Sequence, residues 1–243
     1  MPTSEESHKR VHLWETLKFA HTHVKRLQKF GETRWWAKSK AASNIFGTFD
    51  DNSKEIYSTL ILALLEMAES TDFDSITCSE AQSLLENFCK YETLLISFIM
   101  IKIFEYVTPA SNYLQTEDID FIQAYHLVTN GKSMVNEMYD KFDLIVKKTN
   151  AFLNYINQIE TFRSKDIVIE HELPQQMLRK RKRIVDETTE DSVITDTMKK
   201  FEVFKSVINQ AIQSISQSLD LLSDSKFTDI AEKIRIDNVE LKK

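Results

Sequence analysis

Glycine, proline and cysteine are all scarce in this chain. Its 243 residues include three glycines and three prolines, too few turn residues for a sheet protein. Gly31, Gly47 and Gly131 stand far apart, so no Gly-rich loop exists to cradle a phosphate or a dinucleotide. Two cysteines, Cys78 and Cys89, cannot build a disulfide framework or a four-ligand zinc site, and they suit a reducing compartment. The opening MPTSEESHKR has no apolar signal-peptide core. The most apolar stretch, Leu94 to Phe104, contains Lys102. It falls short of the roughly 20 residues that a membrane span needs and reads as a buried core helix. The expectation is a soluble intracellular protein with no membrane partner.

What remains is ordinary globular composition, 42% hydrophobic and 28% charged, enough for one large domain or two small ones. The net charge of −6 conceals an asymmetry. Between His8 and Lys40 nine basic residues (Lys9, Arg10, Lys18, Lys25, Arg26, Lys29, Arg34, Lys38, Lys40) face only Glu15 and Glu32, a window of +7. A basic head sits on an acidic body.

Periodicity makes the body helical. Leu13, Leu17, Ala20, Val24 and Leu27 form one stripe and predict a helix from about His8 to Phe30, capped by Gly31. Thr33 opens a second helix through Phe46, closed by Gly47. Asn52 and Glu55 have capping-box spacing ahead of a third, Lys54 to about Glu69. Thr77 and Glu80 repeat the spacing before a long helix ending near Val107, where Thr108-Pro109 stops it. Thr116 or Glu117 begins the longest stretch. There Val135, Met138, Phe142, Ile145, Thr149, Phe152, Ile156 and Ile159 alternate steps of three and four, with Gly131 as the expected weak point. From about Arg163 to Ser192 the pattern collapses into a polar mobile loop containing Pro174 and the basic run Arg179, Lys180, Arg181, Lys182, Arg183. Phe201, Phe204, Ile208, Ile212, Ile215, Leu219 and Leu222 mark another amphipathic helix, and a short one spans about Thr228 to Ile234. The organisation is a helical domain over 1–163, a polar loop over 164–195 and return helices over 196–243. The fold class is all-α, a bundle of long antiparallel helices.

Few residues are spaced for chemistry. His21 and His23 lie two apart and point to different sides of a helix. His8 and His12 have i, i+4 spacing but no acid to complete a metal site, and His171 merely sits between Glu170 and Glu172. Neither cysteine has a histidine nearby, and acid pairs such as Asp118 and Asp120 suit any helix start. No catalytic residue, metal ligand, cofactor or small-molecule substrate is expected. The run Arg179 to Arg183 reads equally as a solvated loop, a nuclear localisation patch or a phosphate contact. The most unusual segment is Gly31-Glu32-Thr33-Arg34-Trp35-Trp36. Packing of both tryptophans is the simpler reading of it. A stacking platform beside a cation, suited to an unpaired base, is the functional one.

At this motif the sequence resembles the hAT superfamily of DNA transposases, in particular the zinc finger MYM-type protein 1-like, DUF4371-type branch. Ser7-His8-Lys9-Arg10 looks like the family's Ser-Pro-Lys-Arg, and Thr33-Arg34-Trp35 its Thr-Arg-Trp. Ser111-Asn112-Tyr113-Leu114-Gln115 is similar to its Ser-x-x-Leu-Gln. Arg179 to Arg183 with Asp186-Glu187 matches a late basic stretch, and Phe201 to Ser223 looks like the helix returning towards the catalytic core. The resemblance covers most of the chain, in the family's order. It implies the helical domain inserted into an RNase H-like core, between the second aspartate and the glutamate of an Asp-Asp-Glu triad. In the family the tryptophan packs against a flipped base, so Trp35 would stack and Arg34 would support it. Two departures stand out. Trp36-Ala37-Lys38 replaces the family's Ser-Ser-Arg, and the segments that carry the triad have no counterpart here.

The resemblance therefore implies an inactive fragment that binds DNA through Lys25, Arg26, Lys29, Arg34, Trp35, Lys38 and Lys40, with the loop Arg179 to Arg183 as a second basic element. Homo- or hetero-oligomers through exposed helix faces are a further expectation. The localisation is nuclear, with cytoplasmic as the alternative. The competing reading is a helical protein-interaction module with no nucleic-acid function. A two-metal strand transfer needs every one of its carboxylates. The purified chain should therefore cut neither single- nor double-stranded DNA with Mg²⁺ or Mn²⁺. Reproducible nicking, abolished by changing one acidic residue, would contradict this.

Overall fold

A computed structural model describes residues 4–19, 35–50, 55–117, 119–173 and 196–223. Among these every regular element is helical: α1 (Ser4–Phe19), α2 (Trp35–Phe46), α3 (Glu55–Glu69), α4 (Ser75–Phe88), α5 (Tyr91–Tyr113), α6 (Phe121–Asn136), a 3₁₀ turn (Glu137–Lys141), α7 (Phe142–Ile156), α8 (Glu160–Ser164) and α9 (Asp196–Ser223). The all-α class is as expected.

The bundle is organised around α5. A helix that is apolar on one stripe can lie at a surface, but one that is apolar all round must be enclosed. Tyr91, Leu94, Leu95, Phe98, Ile99, Ile101, Ile103, Phe104, Val107 and Ala110 are all buried, and α2, α6, α7 and α9 pack around them. At 23 residues α5 extends well beyond the apolar stretch Leu94 to Phe104, and it is long and apolar enough to cross a membrane by length and composition alone. Ser39 meets Thr108 while Phe46 meets Phe98, so α2 runs antiparallel to α5. Tyr91 meets Asn150 and Tyr106 meets Lys141, so the chain through the 3₁₀ turn and α7 does the same. Phe46, Tyr57, Phe98 and Phe152 form the central aromatic cluster, with ring centres 5.3–6.5 Å apart. Tilted and edge-on pairs of this kind add to the burial of their area.

Where the sequence predicted one helix from Thr77 to Val107, the structure has two, broken at Cys89-Lys90. No glycine or proline marks the break. The carbonyls freed there find other donors: Asn87 O accepts from the Thr93 hydroxyl at 2.6 Å, Phe88 O from the Tyr57 hydroxyl at 2.8 Å, and Cys89 O from the Glu170 amide at 3.0 Å. Two of these donors come from distant parts of the chain, and they meet the demand that an exposed helix end creates. The α4 cap is Asp74 rather than Thr77, accepting from the Thr77 amide at 2.6 Å. Likewise Asp120, not Thr116 or Glu117, caps α6. Pro109 does not stop α5, which runs on to Tyr113, although the ring removes the amide that would bond the Glu105 carbonyl.

Gly131 is not a weak point. It lies buried inside α6, where a Cβ would stand 3.3 Å from the Tyr106 carbonyl oxygen. Its bare backbone lets α6 approach α5 closely. The break comes later, at the 3₁₀ turn, and the predicted seam passes through it: Val135, Met138, Ile145, Thr149, Phe152 and Ile156 are all fully buried. The α9 stripe holds in part: Phe204, Ile208 and Ile215 are buried, Ile212 and Leu219 are half-buried, and Phe201 at its start is exposed. Over 165–173, placed by the sequence in the polar loop, the chain is a docked strap. Ile169 and Leu173 are buried. The Asn157 side chain donates to Ile169 O and accepts from Ile169 N, both at 3.2 Å. Residues 174–195, with Arg179 to Arg183, lie outside the described residues, as does the short helix expected at Thr228 to Ile234.

Phe152 touches three other rings at the centre, so Phe152→Ala should cost about 3–5 kcal/mol in urea unfolding. A loss below about 1 kcal/mol would show that the cluster is not the centre of the core.

Candidate nucleic-acid interface

An interface is expected in the basic head from its sequence, and the structure describes part of that head. α2 begins at Trp35 and ends in Gly47, whose φ of 81° is the left-handed conformation glycine tolerates best. The Gly47 amide donates to Ser43 O at 2.9 Å. One side of the helix is fixed by Ala41 and Phe46, both buried. Lys38 and Lys40 are exposed. Two residues apart on a helix, they flank the line of Ser39 and Ser43 rather than sharing a face. That line faces α5 across an open cleft of about 310 Å³, lined also by Thr48, Glu105, Thr108 and Pro109.

The remaining predicted residues fall into two groups. Lys25, Arg26, Lys29 and Arg34, and the side chains of Trp35 and Trp36, lie outside the described residues. Lys9 and Arg10, counted in the basic window, are committed to the fold. Lys9 Nζ donates to Asp72 O at 3.3 Å and Arg10 Nη2 to Thr77 Oγ1 at 2.7 Å, pinning α1 to the start of α4. The Ser111 to Gln115 motif closes α5 locally, with the Gln115 amide group donating to Ser111 O at 3.0 Å.

Lys200 and Tyr91 pair with each other inside the fold. At the start of α9 Lys200 is buried, 2.6 Å from Asp196 and 4.2 Å from the centre of the Tyr91 ring. Burial pulls its ammonium down, but Asp196 and Tyr91 outweigh this and hold it above the ordinary lysine range. The Tyr91 hydroxyl, raised by burial against the pull of Lys200, donates to Asn150 Oδ1 at 2.8 Å. No group of three or more His, Cys, Asp or Glu side chains among the described residues could hold a metal ion. Burial, with the Glu170 carboxylate adding to it, pushes the Cys89 thiol up to about 11. Such a thiol is a packing group rather than a nucleophile at neutral pH.

A basic cluster that no sequence pattern announced lies along α5, where Lys102, Lys141 and Lys148 gather around Phe49 and Tyr106. Its members come from separate elements and share no motif, so only the fold brings them together.

Comparison with protein-family models, with curated proteins and with solved structures finds no match to this chain.

The raised Cys89 thiol has a pH consequence. The folded state holds the proton longer than the unfolded chain does. The resulting stability is fully present below about pH 9 and is lost as pH rises to about 11. Urea midpoints should therefore fall more steeply over that range for the native chain than for Cys89→Ala. Parallel pH curves would contradict the assignment.

Proposed function

We propose that the chain is a catalytically inactive helical module derived from a hAT-like transposase, nuclear, and able to bind DNA through its basic head. The observation that carries this reading is the register of α2: the Thr33-Arg34-Trp35 motif runs straight into its first residue, in a window of +7. One turn on, Lys38 is exposed and has no ion pair among the described residues. A cation and an aromatic at one end of a basic helix suit a strand with an unpaired base. The order of the other family-like motifs along the chain supports the same reading.

A second reading, a protein-interaction module without nucleic acid, is favoured by Ile122 and Tyr125. They are 55% and 44% exposed on the same side of α6, where apolar side chains suit a protein partner.

DNA with flipped or unpaired bases should bind better than intact duplex, and Trp35→Ala should lose roughly 1–3 kcal/mol on it, the range for one base–aromatic stack. Charge reversal at Lys25, Arg26 and Lys29 should weaken both substrates and flatten the salt dependence. If Trp35→Ala lowers the melting temperature yet leaves flipped-base binding unchanged, the motif serves packing alone and the interaction module is favoured.

A further inference from the structure

The lysine cluster on α5 has a geometry that packing alone does not require. Lys102 Nζ lies 4.7 Å from the centre of the Phe49 ring and 5.2 Å from that of Tyr106. From α7, Lys148 reaches the Phe49 ring at 5.5 Å. From the 3₁₀ turn, Lys141 stands 5.2 Å from the Tyr106 ring and donates to its hydroxyl at 2.8 Å. Three ammonium groups thus surround two rings. The ring faces attract Lys102 and Lys148 without neutralising them, while Lys141 is held at the Tyr106 hydroxyl.

Among the described residues the carboxylates in contact do not balance the three charges. Glu105 is committed: one oxygen bonds Lys102 at 2.7 Å and the other accepts from the Phe49 amide at 3.1 Å. Asp50 is 4.0 Å from Lys148 with its side chain 87% exposed, a loose pair of the kind that contributes little. Lys141 has no ion pair among the described residues. Each ammonium carries three donors, so the cluster retains N–H groups for an anion. The rings already restrain the three stems, and much of the ordering that a ligand would otherwise impose is complete before it arrives.

We propose that Lys102, Lys141 and Lys148 form a phosphate-binding site. Several acceptor oxygens at one centre let a phosphate bond more than one ammonium at once, and lysine meets such a group as a point charge. The ligand is a phosphate carried either by a free polyphosphate or by a nucleic-acid backbone. The site stands apart from the head. Phe49 follows the C-terminal end of α2, and the helix separates that end from Trp35 by roughly 18 Å at 1.5 Å per residue. It goes beyond the reading above and does not require Trp35 to stack.

The test is pyrophosphate binding to the full chain by calorimetry at fixed ionic strength, with helix content and melting temperature recorded for every variant. Saturable binding is expected, and Lys141→Gln and Lys148→Gln should each weaken it roughly tenfold or more, the effect of losing one charge-assisted hydrogen bond. Lys141→Arg, which keeps the charge, should retain most of the affinity. Lys147→Gln makes the same charge change one position away on α7, and should shift affinity by less than about twofold if the site is local. Displacement of pyrophosphate by an oligothymidylate would assign the site to a nucleic-acid backbone, and failure to displace it would assign the site to free phosphates. Absence of saturable binding, or a Lys147→Gln effect equal to that of Lys141→Gln in folded protein, would overturn the proposal. Flipped-base DNA binding that responds to Trp35→Ala can survive that failure, so the two readings stand or fall separately.

Discussion

The rest of the structure depends on the need to enclose α5. Its apolar side chains point in every direction, so no single neighbour can cover them, and α2, α6, α7 and α9 meet around it. Burial of large apolar side chains is the dominant favourable term in folding. Here it is concentrated on one element. The close approach at Gly131 and the aromatic cluster on Phe98 and Phe152 follow from it, and so does the seam that continues through the 3₁₀ turn.

Enclosing an apolar helix also decides where polar groups go. The end of α4, where the chain breaks before α5, would leave unpaired carbonyls at Phe88 and Cys89, and the Tyr57 hydroxyl and the Glu170 amide supply the donors. The strap that brings Glu170 there is fixed in turn by the Asn157 side chain on Ile169. Lys200 joins the same end of α5 by covering the Tyr91 ring, with Asp196 keeping it charged. The lysines at 102, 141 and 148 lie further along α5, Lys102 and Lys148 against the Phe49 ring and Lys141 on the Tyr106 hydroxyl.

What was legible in the sequence is what local period controls. Most of the stripe from Val135 to Ile156, and Phe204, Ile208 and Ile215 of the α9 stripe, are buried as read, because a helix face depends only on spacing along one segment. The break at Cys89-Lys90 was not legible, because its donors come from residues far away in the chain. Pro109 and Gly131 were misread by rules that treat them as breakers, whereas packing keeps both inside helices. The basic head was visible as charge. Composition could not show that Lys9 and Arg10 would bond across to the start of α4 and so help dock α1. The lysine cluster had no signal at all, since its residues share neither a motif nor a period.

Both candidate surfaces, the α2 face with its cleft and the lysine cluster, are positioned by contact with α5, so the central claim concerns that helix. Native-state amide hydrogen exchange tests it most directly, because exchange ranks segments by the free energy needed to open them. The account predicts that amides from Leu94 to Val107 exchange slowest, opening only with global unfolding, together with the buried middle of α7, while those of α1 exchange much faster. Exchange in α5 as fast as in α1 would contradict it.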